Sequence, residues 1–387
     1  MRNWTVCLAA FALASCVTAP VERPLSTQST PRTPLGLDDA GVLFWDQATR
    51  TDRFRHLEDF YAGQEVAPAS KARPLPRGAA LDAATVAKIV PLLEALNAAG
   101  IMVLQDGKVR YEHYRLGFTP EQRWTSFSVA KSFTSTLLGA AVKDGALSLS
   151  DPVTRHLPGL AGTAYDGVTV EQVATMTSGV KWNEDYTDPN SDVARMLSVA
   201  PVAGEAQSVT YARKLTREAP AGSKWVYKTL ETNLLGDIVA AATGRSLADY
   251  AKEKIVDPAG FAGGLFWMTD LTGRNIGGCC LSIRLSDYAR MGQWVMEGGQ
   301  PSVSADWFAR ATAKHADIGA GQGFGYGYQW WTNPTGFAAN GIFGQHIAVM
   351  PERKLVIAVV SSNAIASGRS LSVERTALIN AVLAGLQ

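Results

Sequence analysis

The chain contains few cysteines, and their positions provide no cysteine-based site. Only four occur among 387 residues. Cys7 and Cys16 lie near the N-terminus, while Cys279 and Cys280 are adjacent. This spacing fits neither a zinc site nor a framework of disulfides. Two small buried thiols are the favoured interpretation of the adjacent pair, over a vicinal disulfide.

Other signatures of common functions are also missing. None of the five histidines stands in a His-x-His or His-Glu-x-x-His pattern, which argues against a catalytic metal. No Gly-x-Ser-x-Gly, phosphate-binding loop or dinucleotide fingerprint occurs, so neither an α/β-hydrolase elbow nor a nucleotide cofactor is indicated. The formal net charge is +1 and no long run of like charge is present, which argues against a nucleic-acid partner. We therefore expect neither a metal ion nor another cofactor.

Long hydrophobic runs are absent as well. The apolar run at residues 4–13 follows Arg2. At about 1.5 Å per residue it is too short to span a ~30 Å hydrocarbon core, and it is typical of a signal peptide. It ends in Leu13-Ala14-Ser15-Cys16, which resembles a bacterial lipobox and predicts cleavage after residue 15 and acylation of Cys16. The alternative is an ordinary signal peptide with a chance cysteine.

The N-terminal features predict an exported lipoprotein. Residues 1–15 are the predicted signal peptide, and residues 16–40, rich in Thr, Pro and Ser, are the predicted tether. The lipid on Cys16 would attach the mature protein to a membrane in the periplasm. Val17 stands where an aspartate is associated with inner-membrane retention, which favours the outer membrane of a Gram-negative bacterium.

The rest of the chain predicts one large domain preceded by an arm. Residues 41–75 mix aromatic and charged residues without a period and are the predicted N-terminal arm; the domain is predicted over residues 76–387. Strand patterns flank Asp106-Gly107 and return after about residue 326, with a mostly helical stretch at about 146–300 between them. This order predicts an α/β (α+β) fold, in which both ends of the chain build an antiparallel sheet flanked by helices, with an inserted helical subdomain.

Ser128 and Lys131 are the strongest candidates for a reacting pair. Their Ser-x-x-Lys spacing precedes an apolar stripe at helical spacing, so both side chains lie on one helix face. The helix N-terminus and desolvation both disfavour a protonated lysine, and a neutral lysine beside a serine is a general base beside a nucleophile. The backbone N–H of Ser128 can form half of an oxyanion hole. The same spacing at Ser178 and Lys181 contains Gly179 and lacks the apolar stripe, which predicts a loop.

Several ordered motifs resemble those of the serine β-lactamase and penicillin-binding superfamily, on its class C and family VIII esterase side. They are the segment 124–138, Asp151-Pro152-Val153, and Met176-Thr177-Ser178-Gly179-Val180. The following Trp182-Asn183-Glu184-Asp185-Tyr186 is most similar to the 6-aminohexanoate-dimer (nylon-oligomer) hydrolases. The resemblance covers roughly residues 75–387. It implies a β-lactamase-like fold with Ser128 in the cleft between the sheet and the helical subdomain.

The resemblance also implies a role for Tyr227, in Trp225-Val226-Tyr227-Lys228-Thr229, which matches the superfamily motif Tyr-x-Asn. Tyr227 would relay a proton between the nucleophile and the leaving group, with its pKa lowered by a cationic neighbour. The alternative is a core tyrosine packed in an aromatic patch. Thr229 stands where the motif has asparagine, so a hydrogen bond to a substrate amide would be lost.

Residues 341–345, Gly-Ile-Phe-Gly-Gln, are predicted on a strand where the superfamily carries Lys-Thr-Gly. Ile342 replaces the lysine. Gly344 is retained and lets the backbone approach the substrate closely. By resemblance, the N–H of Gln345 completes the oxyanion hole. The alternative is an ordinary strand glycine.

Two aromatic residues are further candidates for substrate contact. Tyr186 matches a tyrosine on a loop that closes over the substrate in the nylon-oligomer hydrolases; the alternative is a solvated acidic loop that includes Glu184. Trp331 is predicted to line the cleft, with Trp330 on the opposite side of the strand in the core, because adjacent strand residues face opposite ways.

Together these features predict a serine hydrolase that forms an acyl-enzyme at Ser128. The predicted substrate is a small linear amide or ester, of the 6-aminohexanoate-oligomer or carboxylesterase type. Two alternatives remain open. One is a penicillin-binding-type or β-lactamase protein with slow turnover, and the other is a non-catalytic lipoprotein that uses the fold for binding. The sequence indicates no oligomeric state.

Overall fold

The structure, a computed structural model, describes Met1 and residues 40–386. The predicted signal peptide beyond Met1, Cys16 and the predicted tether up to residue 39 therefore lie outside the described residues. Within residues 40–386, eleven strands form two antiparallel sheets. The strands are β1 (Gly63–Val66), β2 (Ala98–Gln105), β3 (Lys108–Tyr114), β4 (Trp124–Thr125), β5 (Leu265–Met268), β6 (Leu281–Ile283), β7 (Gly325–Tyr326), β8 (Trp331–Asn333), β9 (Gly336–Asn340), β10 (His346–Met350) and β11 (Leu355–Ser361).

The larger sheet contains seven strands in the order β3-β2-β11-β10-β9-β8-β7. β2 and β3 precede Ser128, and the other five strands come from the C-terminal part of the chain. The sheet is therefore built from both ends of the domain, and the predicted fold class is confirmed. Asp106 and Gly107, with φ of 49° and 71°, form the two-residue turn between β2 and β3, because a tight hairpin favours positive φ at both turn positions.

Helices cover both faces of this sheet. The α-helices in the described part of the chain are α1 (Gln47–Arg53), α2 (Ala83–Ala95), α3 (Ala130–Lys143), α4 (Val153–His156), α5 (Val170–Ala174), α6 (Asp192–Arg195), α7 (Gln207–Ala212), α8 (Thr229–Thr243), α9 (Leu247–Ala251), α10 (Asp257–Ala259), α11 (Leu285–Met296), α12 (Trp307–Ala311) and α13 (Arg369–Ala384).

Side chains of β2 show how the layers are arranged. Ile101 and Val103 pack with α2 and α13 on one face, whereas Met102 and Leu104 belong to the main core on the other. Burial of both faces explains the continuous apolar run, and each fully buried side chain of this size contributes about 1.5–3 kcal/mol. Helix α11 packs on β11, β10 and β2 in the main-core layer. Helix α11 is therefore part of the domain built around the larger sheet, although the sequence-based prediction placed it in the helical subdomain, which was expected to extend to about residue 300.

The smaller sheet has the order β1-β5-β6-β4 and was not predicted. Its first strand comes from the predicted N-terminal arm, residues 41–75, and pairs with β5 from Gly63–Met268 to Val66–Leu265. Phe54, also from the arm, is fully buried, and its ring lies 4.9 Å from that of Phe127. The arm thus packs directly behind the turn that carries Ser128.

Ser128 lies in the 3-10 turn Phe127–Val129, which leads directly into α3. Residues 130–141 of α3 are all buried, and α3 packs against α8. The N-terminus of α8 begins at Thr229. This packing of two buried helices brings the Ser-x-x-Lys segment and the segment after Tyr227 to one place.

Candidate active site

Lys131 is buried in contact with Ser128. The Lys131 Nζ lies 2.9 Å from Ser128 Oγ, 3.0 Å from Thr229 Oγ1 and 2.9 Å from the carbonyl oxygen of Gly278. Lys131 is 1% exposed and Ser128 is 8% exposed. All three hydrogen-bond partners are uncharged. Burial therefore lowers the pKa of Lys131 to about 8, although the negative charge of Glu184 acts in the opposite direction. A large fraction of this lysine is neutral near pH 8, so it can accept a proton from Ser128.

Tyr227 lies beside the same pair. Its ring centroid is 5.2 Å from Lys131 Nζ, and the neighbouring Ser128 acts to lower the pKa of its hydroxyl, against larger effects of burial and of Glu184. Trp331 stacks on the ring of Tyr227 at 5.5 Å. The sequence-based expectation that a cation lowers the pKa of Tyr227 is wrong. Burial, followed by the charge of Glu184, raises this pKa above its usual range, so Tyr227 is a neutral hydroxyl that can donate a proton.

The carboxylate of Glu184 connects the loop after the Thr-Ser-Gly turn to these residues. It accepts hydrogen bonds from the hydroxyl of Tyr186 at 2.7 Å and from the N–H of Thr229 at 2.9 Å. It also accepts short hydrogen bonds from the Thr229 hydroxyl and from the indole N–H of Trp182. The hydroxyl of Thr229, which stands where the superfamily motif has asparagine, therefore links Glu184 to Lys131 through hydrogen bonds.

The predicted acidic loop is thus only partly solvated. Asp185 is exposed and hydrogen-bonds to Thr187 within the loop, as the alternative interpretation of the loop expected. Glu184, in contrast, points into the site. Sequence reasoning missed its role, and the only available signal was the alternation of Trp182, Glu184 and Tyr186, which are the three positions that face inward.

The segment 341–345 was predicted to lie on a strand, but in the structure it forms a turn. β9 ends at Asn340, β10 begins at His346, and Phe343 and Gly344 have φ of 59° and 99°. Strands require negative φ, so these two residues interrupt the ladder. Gly344 packs toward Ser361 and Leu371. It is not among the residues that line the cavities beside Ser128.

Ile342 and Gln345 stand on either side of this bend. Ile342 lines both cavities beside Ser128. The side chain of Gln345 is fully buried; its amide donates to the carbonyl oxygens of Ile342 and Ser361, and its Oε1 accepts from the N–H of Ser361. These hydrogen bonds fix the backbone of the turn next to Ser128, which is a requirement for an oxyanion-hole donor.

Two cavities adjoin Ser128. The first, here called the apolar pocket, is lined by residues that include Val42, Val193, Met196 and Cys279. The second, here called the long groove, extends between β9, β10 and α13. Ser128, Tyr186 and Ile342 line both cavities, whereas Tyr227 and Trp331 line only the long groove. Trp330 is fully buried in the core.

The long groove contains a cation that the sequence did not reveal. Arg375 of α13 lines it, and burial lowers the pKa of its guanidinium to about 10. Arg375 also contributes to lowering the pKa of the buried His346, after burial itself. In the sequence Arg375 is one of three charged residues of the terminal helix, with Arg369 and Glu374, and nothing marks it as a groove residue.

Cys279 and Cys280 are joined in a vicinal disulfide, not present as the two free thiols favoured from the sequence. Cys279 lines the apolar pocket, and Cys280 is buried. The preceding residue is Gly278, whose carbonyl oxygen contacts Lys131. The disulfide is therefore part of the wall behind the catalytic candidates.

The second Ser-x-x-Lys segment is not a reacting pair. Ser178 is fully buried and donates a short hydrogen bond to Glu231, whereas Lys181 is exposed. Among residues 40–386, no group of three His, Cys, Asp or Glu side chains could hold a metal ion. The helices of the same part of the chain are all too short or too polar to cross a membrane.

Comparison with known proteins agrees with this geometry. Residues 86–268 match the family model described as beta-lactamase. The 6-aminohexanoate-dimer hydrolase of Paenarthrobacter ureafaciens is 31% identical over 327 residues, which are 76% of this chain and 80% of that protein. A solved structure from Bacillus anthracis, assigned as a 6-aminohexanoate-dimer hydrolase, has a TM-score of 0.75 at 21% identity and covers 86% of this chain and 93% of its own.

A further structure supports the same fold. EstCE1, described as a hydrolase with promiscuous acyltransferase activity, has a TM-score of 0.62 at 15% identity, with 76% of this chain and 97% of that chain covered. The chain therefore belongs to the serine β-lactamase and penicillin-binding superfamily of serine hydrolases, in the same family as the 6-aminohexanoate-dimer hydrolase of Paenarthrobacter ureafaciens.

Proposed function

We propose that the protein hydrolyses short linear esters or amides through an acyl-enzyme at Ser128. The observation that carries this proposal is the contact of 2.9 Å between Lys131 Nζ and Ser128 Oγ, in a buried site where every direct hydrogen-bond partner of Lys131 is uncharged. A lysine whose pKa is lowered to about 8 can act as the general base for a serine nucleophile. The name of the Paenarthrobacter relative and the description of EstCE1 support linear amides and esters as the substrate class.

In the proposed acylation step, neutral Lys131 takes the hydroxyl proton of Ser128 while Oγ bonds to the substrate carbonyl carbon. The carbonyl oxygen becomes an oxyanion, held by the backbone N–H groups of Ser128 and Gln345. Tyr227 passes a proton to the leaving oxygen or nitrogen and is reprotonated from Lys131. The bond to the leaving group then breaks, and an alcohol or amine departs.

In the proposed deacylation step, water attacks the ester carbonyl of the acyl-enzyme. Neutral Lys131 accepts one proton from the water as the water oxygen bonds to the carbonyl carbon, and it returns that proton to Ser128 Oγ as the acyl–oxygen bond breaks, while Tyr227 keeps its own proton. The carboxylic acid leaves and the enzyme regains its starting state. Tyr186, which lines both cavities, contacts the bound substrate. Trp331 forms an apolar wall on the side of Tyr227.

A second candidate function is favoured by Arg375. β-Lactams carry a carboxylate near the ring nitrogen, and a guanidinium in the long groove is a suitable partner for a carboxylate. On this proposal the protein is acylated by penicillins and turns over slowly. Against it stands Ile342, which occupies the position where the superfamily has a lysine for the same carboxylate.

Steady-state kinetics on p-nitrophenyl butyrate and on nitrocefin test both candidates. We expect hydrolysis of the ester, with a kcat/KM for nitrocefin lower by about two orders of magnitude, because one charge-assisted hydrogen bond of ~1.5–3 kcal/mol is missing at Ile342. Equal efficiency on both substrates would contradict the substrate class. Stoichiometric labelling by penicillin without ester turnover would favour the second candidate.

We further propose that the protein is anchored in a membrane on the periplasmic side through a lipid on Cys16, after cleavage of residues 1–15. The support is the Leu-Ala-Ser-Cys ending of the apolar run. Cys16→Ala should move the protein from the membrane fraction to the soluble fraction of the cell. Equal membrane association of the variant and the wild type would rule this anchor out.

A further inference from the structure

The apolar pocket differs from the long groove in the charge of its lining residues. None of the described residues that line it carries a charged side chain. Its walls come from α6 and the residues after it (Val193, Ala194, Met196 and Leu197) and from Val42 and Leu43 of the N-terminal arm. The pocket therefore offers apolar contact but no counter-ion.

Two carboxylates beside residues of the pocket wall already accept hydrogen bonds from other protein groups. Asp192 on α6 accepts hydrogen bonds from the hydroxyl of Tyr211 at 2.8 Å and from the N–H of Asn183 at 2.8 Å. Glu184 is occupied by Tyr186 and Thr229. A cationic group that entered the pocket would lose its hydration without gaining a carboxylate in exchange, which is costly for an ion.

The position of Tyr227 shows which part of the substrate enters the apolar pocket. A residue that protonates the leaving group must lie on the leaving-group side of the nucleophile. Tyr227 lines the long groove and not the apolar pocket, whereas Ser128 lines both. The leaving group therefore occupies the long groove, and the acyl group points into the apolar pocket.

We propose that the apolar pocket binds an uncharged aliphatic acyl group, so that the enzyme selects substrates without a charge on the acyl arm. This inference rests on the proposed acyl-enzyme function. On this proposal, 6-aminohexanoate dimer, the substrate in the name of the Paenarthrobacter relative, is disfavoured by this enzyme, because the acyl half of the dimer ends in an ammonium group. Leaving groups that carry a carboxylate remain acceptable, since Arg375 lies in the long groove.

A matched pair of esters tests the proposal in the wild-type protein. p-Nitrophenyl heptanoate and p-nitrophenyl 6-aminohexanoate share the leaving group and differ at the acyl end only by a methyl in place of an ammonium. Near neutral pH, we expect kcat/KM for the heptanoate to be higher by at least about 100-fold, since an unpaired ammonium cannot replace its hydration in the pocket. The uncatalysed rate of each ester is subtracted.

A charge-reversal variant gives an independent readout. Leu197 lines the pocket and is partly exposed, so a carboxylate there keeps some hydration. Leu197→Asp should reduce the preference for the heptanoate by about 10-fold or more, because it provides a counter-ion for the ammonium. Leu197→Asn is the matched control, because asparagine has nearly the same size as aspartate but carries no charge. It should leave the preference for the heptanoate close to the wild-type value.

The outcomes separate this inference from the function on which it rests. If both esters are hydrolysed at similar rates, and Ser128→Ala abolishes both reactions, the uncharged-acyl proposal is wrong while the acyl-enzyme proposal stands. If neither these esters nor p-nitrophenyl acetate is hydrolysed, both proposals fail. A preference for the aminohexanoate ester would overturn the assignment of the two cavities.

Discussion

Glu184 binds Thr229 at both of its polar groups, the backbone N–H at 2.9 Å and the side-chain hydroxyl through a short hydrogen bond. The same Thr229 hydroxyl lies 3.0 Å from Lys131 Nζ. One carboxylate therefore connects the loop of Tyr186 to the proposed general base. Its charge also raises the pKa of Lys131 against the larger effect of burial.

Glu184→Gln should shift the pH dependence of catalysis. Removal of the negative charge removes the influence that raises the pKa of Lys131, so the proportion of neutral lysine increases at a given pH. The acidic limb of the kcat/KM profile should then move to lower pH, even if the maximum rate falls. The measurement is a pH–rate profile on a p-nitrophenyl ester.

Asp185→Asn is the matched control for that variant. Asp185 is the adjacent carboxylate, but it is exposed and bonds only within its loop, to Thr187. Its removal should leave the position of the acidic limb unchanged. A loss of activity in Glu184→Gln without any shift would mean that Glu184 only supports the structure.

Lys131→Arg should be nearly as damaging as Lys131→Met. Arginine keeps its proton, so it cannot accept one from Ser128. Loss of a general base typically costs 10²–10⁴-fold in rate, and we expect about that reduction in kcat for both variants. An arginine variant with near wild-type kcat would show that position 131 supplies charge and not proton transfer.

The activity should rise with pH through a value of about 8, where Lys131 loses its proton. The same shift affects stability. Because the pKa of Lys131 falls from 10.5 to about 8 on folding, the unfolded chain binds more protons between these values. Burial of Lys131 therefore lowers the free energy of unfolding below pH 8, because the folded protein must bury the charged form. This destabilisation disappears as the pH approaches 10.5.

Urea unfolding of the wild type and Lys131→Met measures this second effect. Across that pH range, the stability of the wild type relative to the variant should increase by roughly 2–3 kcal/mol. A stability difference that does not change with pH would contradict the lowered pKa of Lys131.

Ser128→Ala should lower kcat by about 10⁴-fold or more, since the covalent route is lost and only binding and the oxyanion hole remain. Ser178→Ala is the matched control, because the second serine is equally spaced from a lysine. It should reduce stability by removing a partner of the buried Glu231, while kcat stays close to the wild-type value. Loss of activity only in the Ser178 variant would show that the wrong serine was chosen.

The local parts of the site could be predicted from the sequence. Ser128 and Lys131 are three residues apart on adjoining turns, and helical geometry alone brings them together. The turn at Asp106-Gly107 is also specified by its own two residues. The contribution of both ends of the chain to one antiparallel sheet could also be predicted, from the position of the strand patterns.

Features that depend on distant contacts could not be predicted. The bend at Phe343 is held by hydrogen bonds to Ala366 and Asn363, so an apolar run that is typical of a strand becomes a turn. The smaller sheet pairs β1 with β5, from distant parts of the chain. The raised pKa of Tyr227 depends on burial and on Glu184, neither of which the motif around Tyr227 specifies.

Covalent labelling identifies the nucleophile, on which the proposed mechanism depends. The protein is treated with a fluorophosphonate probe, digested, and the modified peptide is identified by mass spectrometry. We predict a single adduct on Ser128, absent in Ser128→Ala and retained in Ser178→Ala. An adduct on another residue, or no adduct in a protein that still hydrolyses esters, would contradict this prediction.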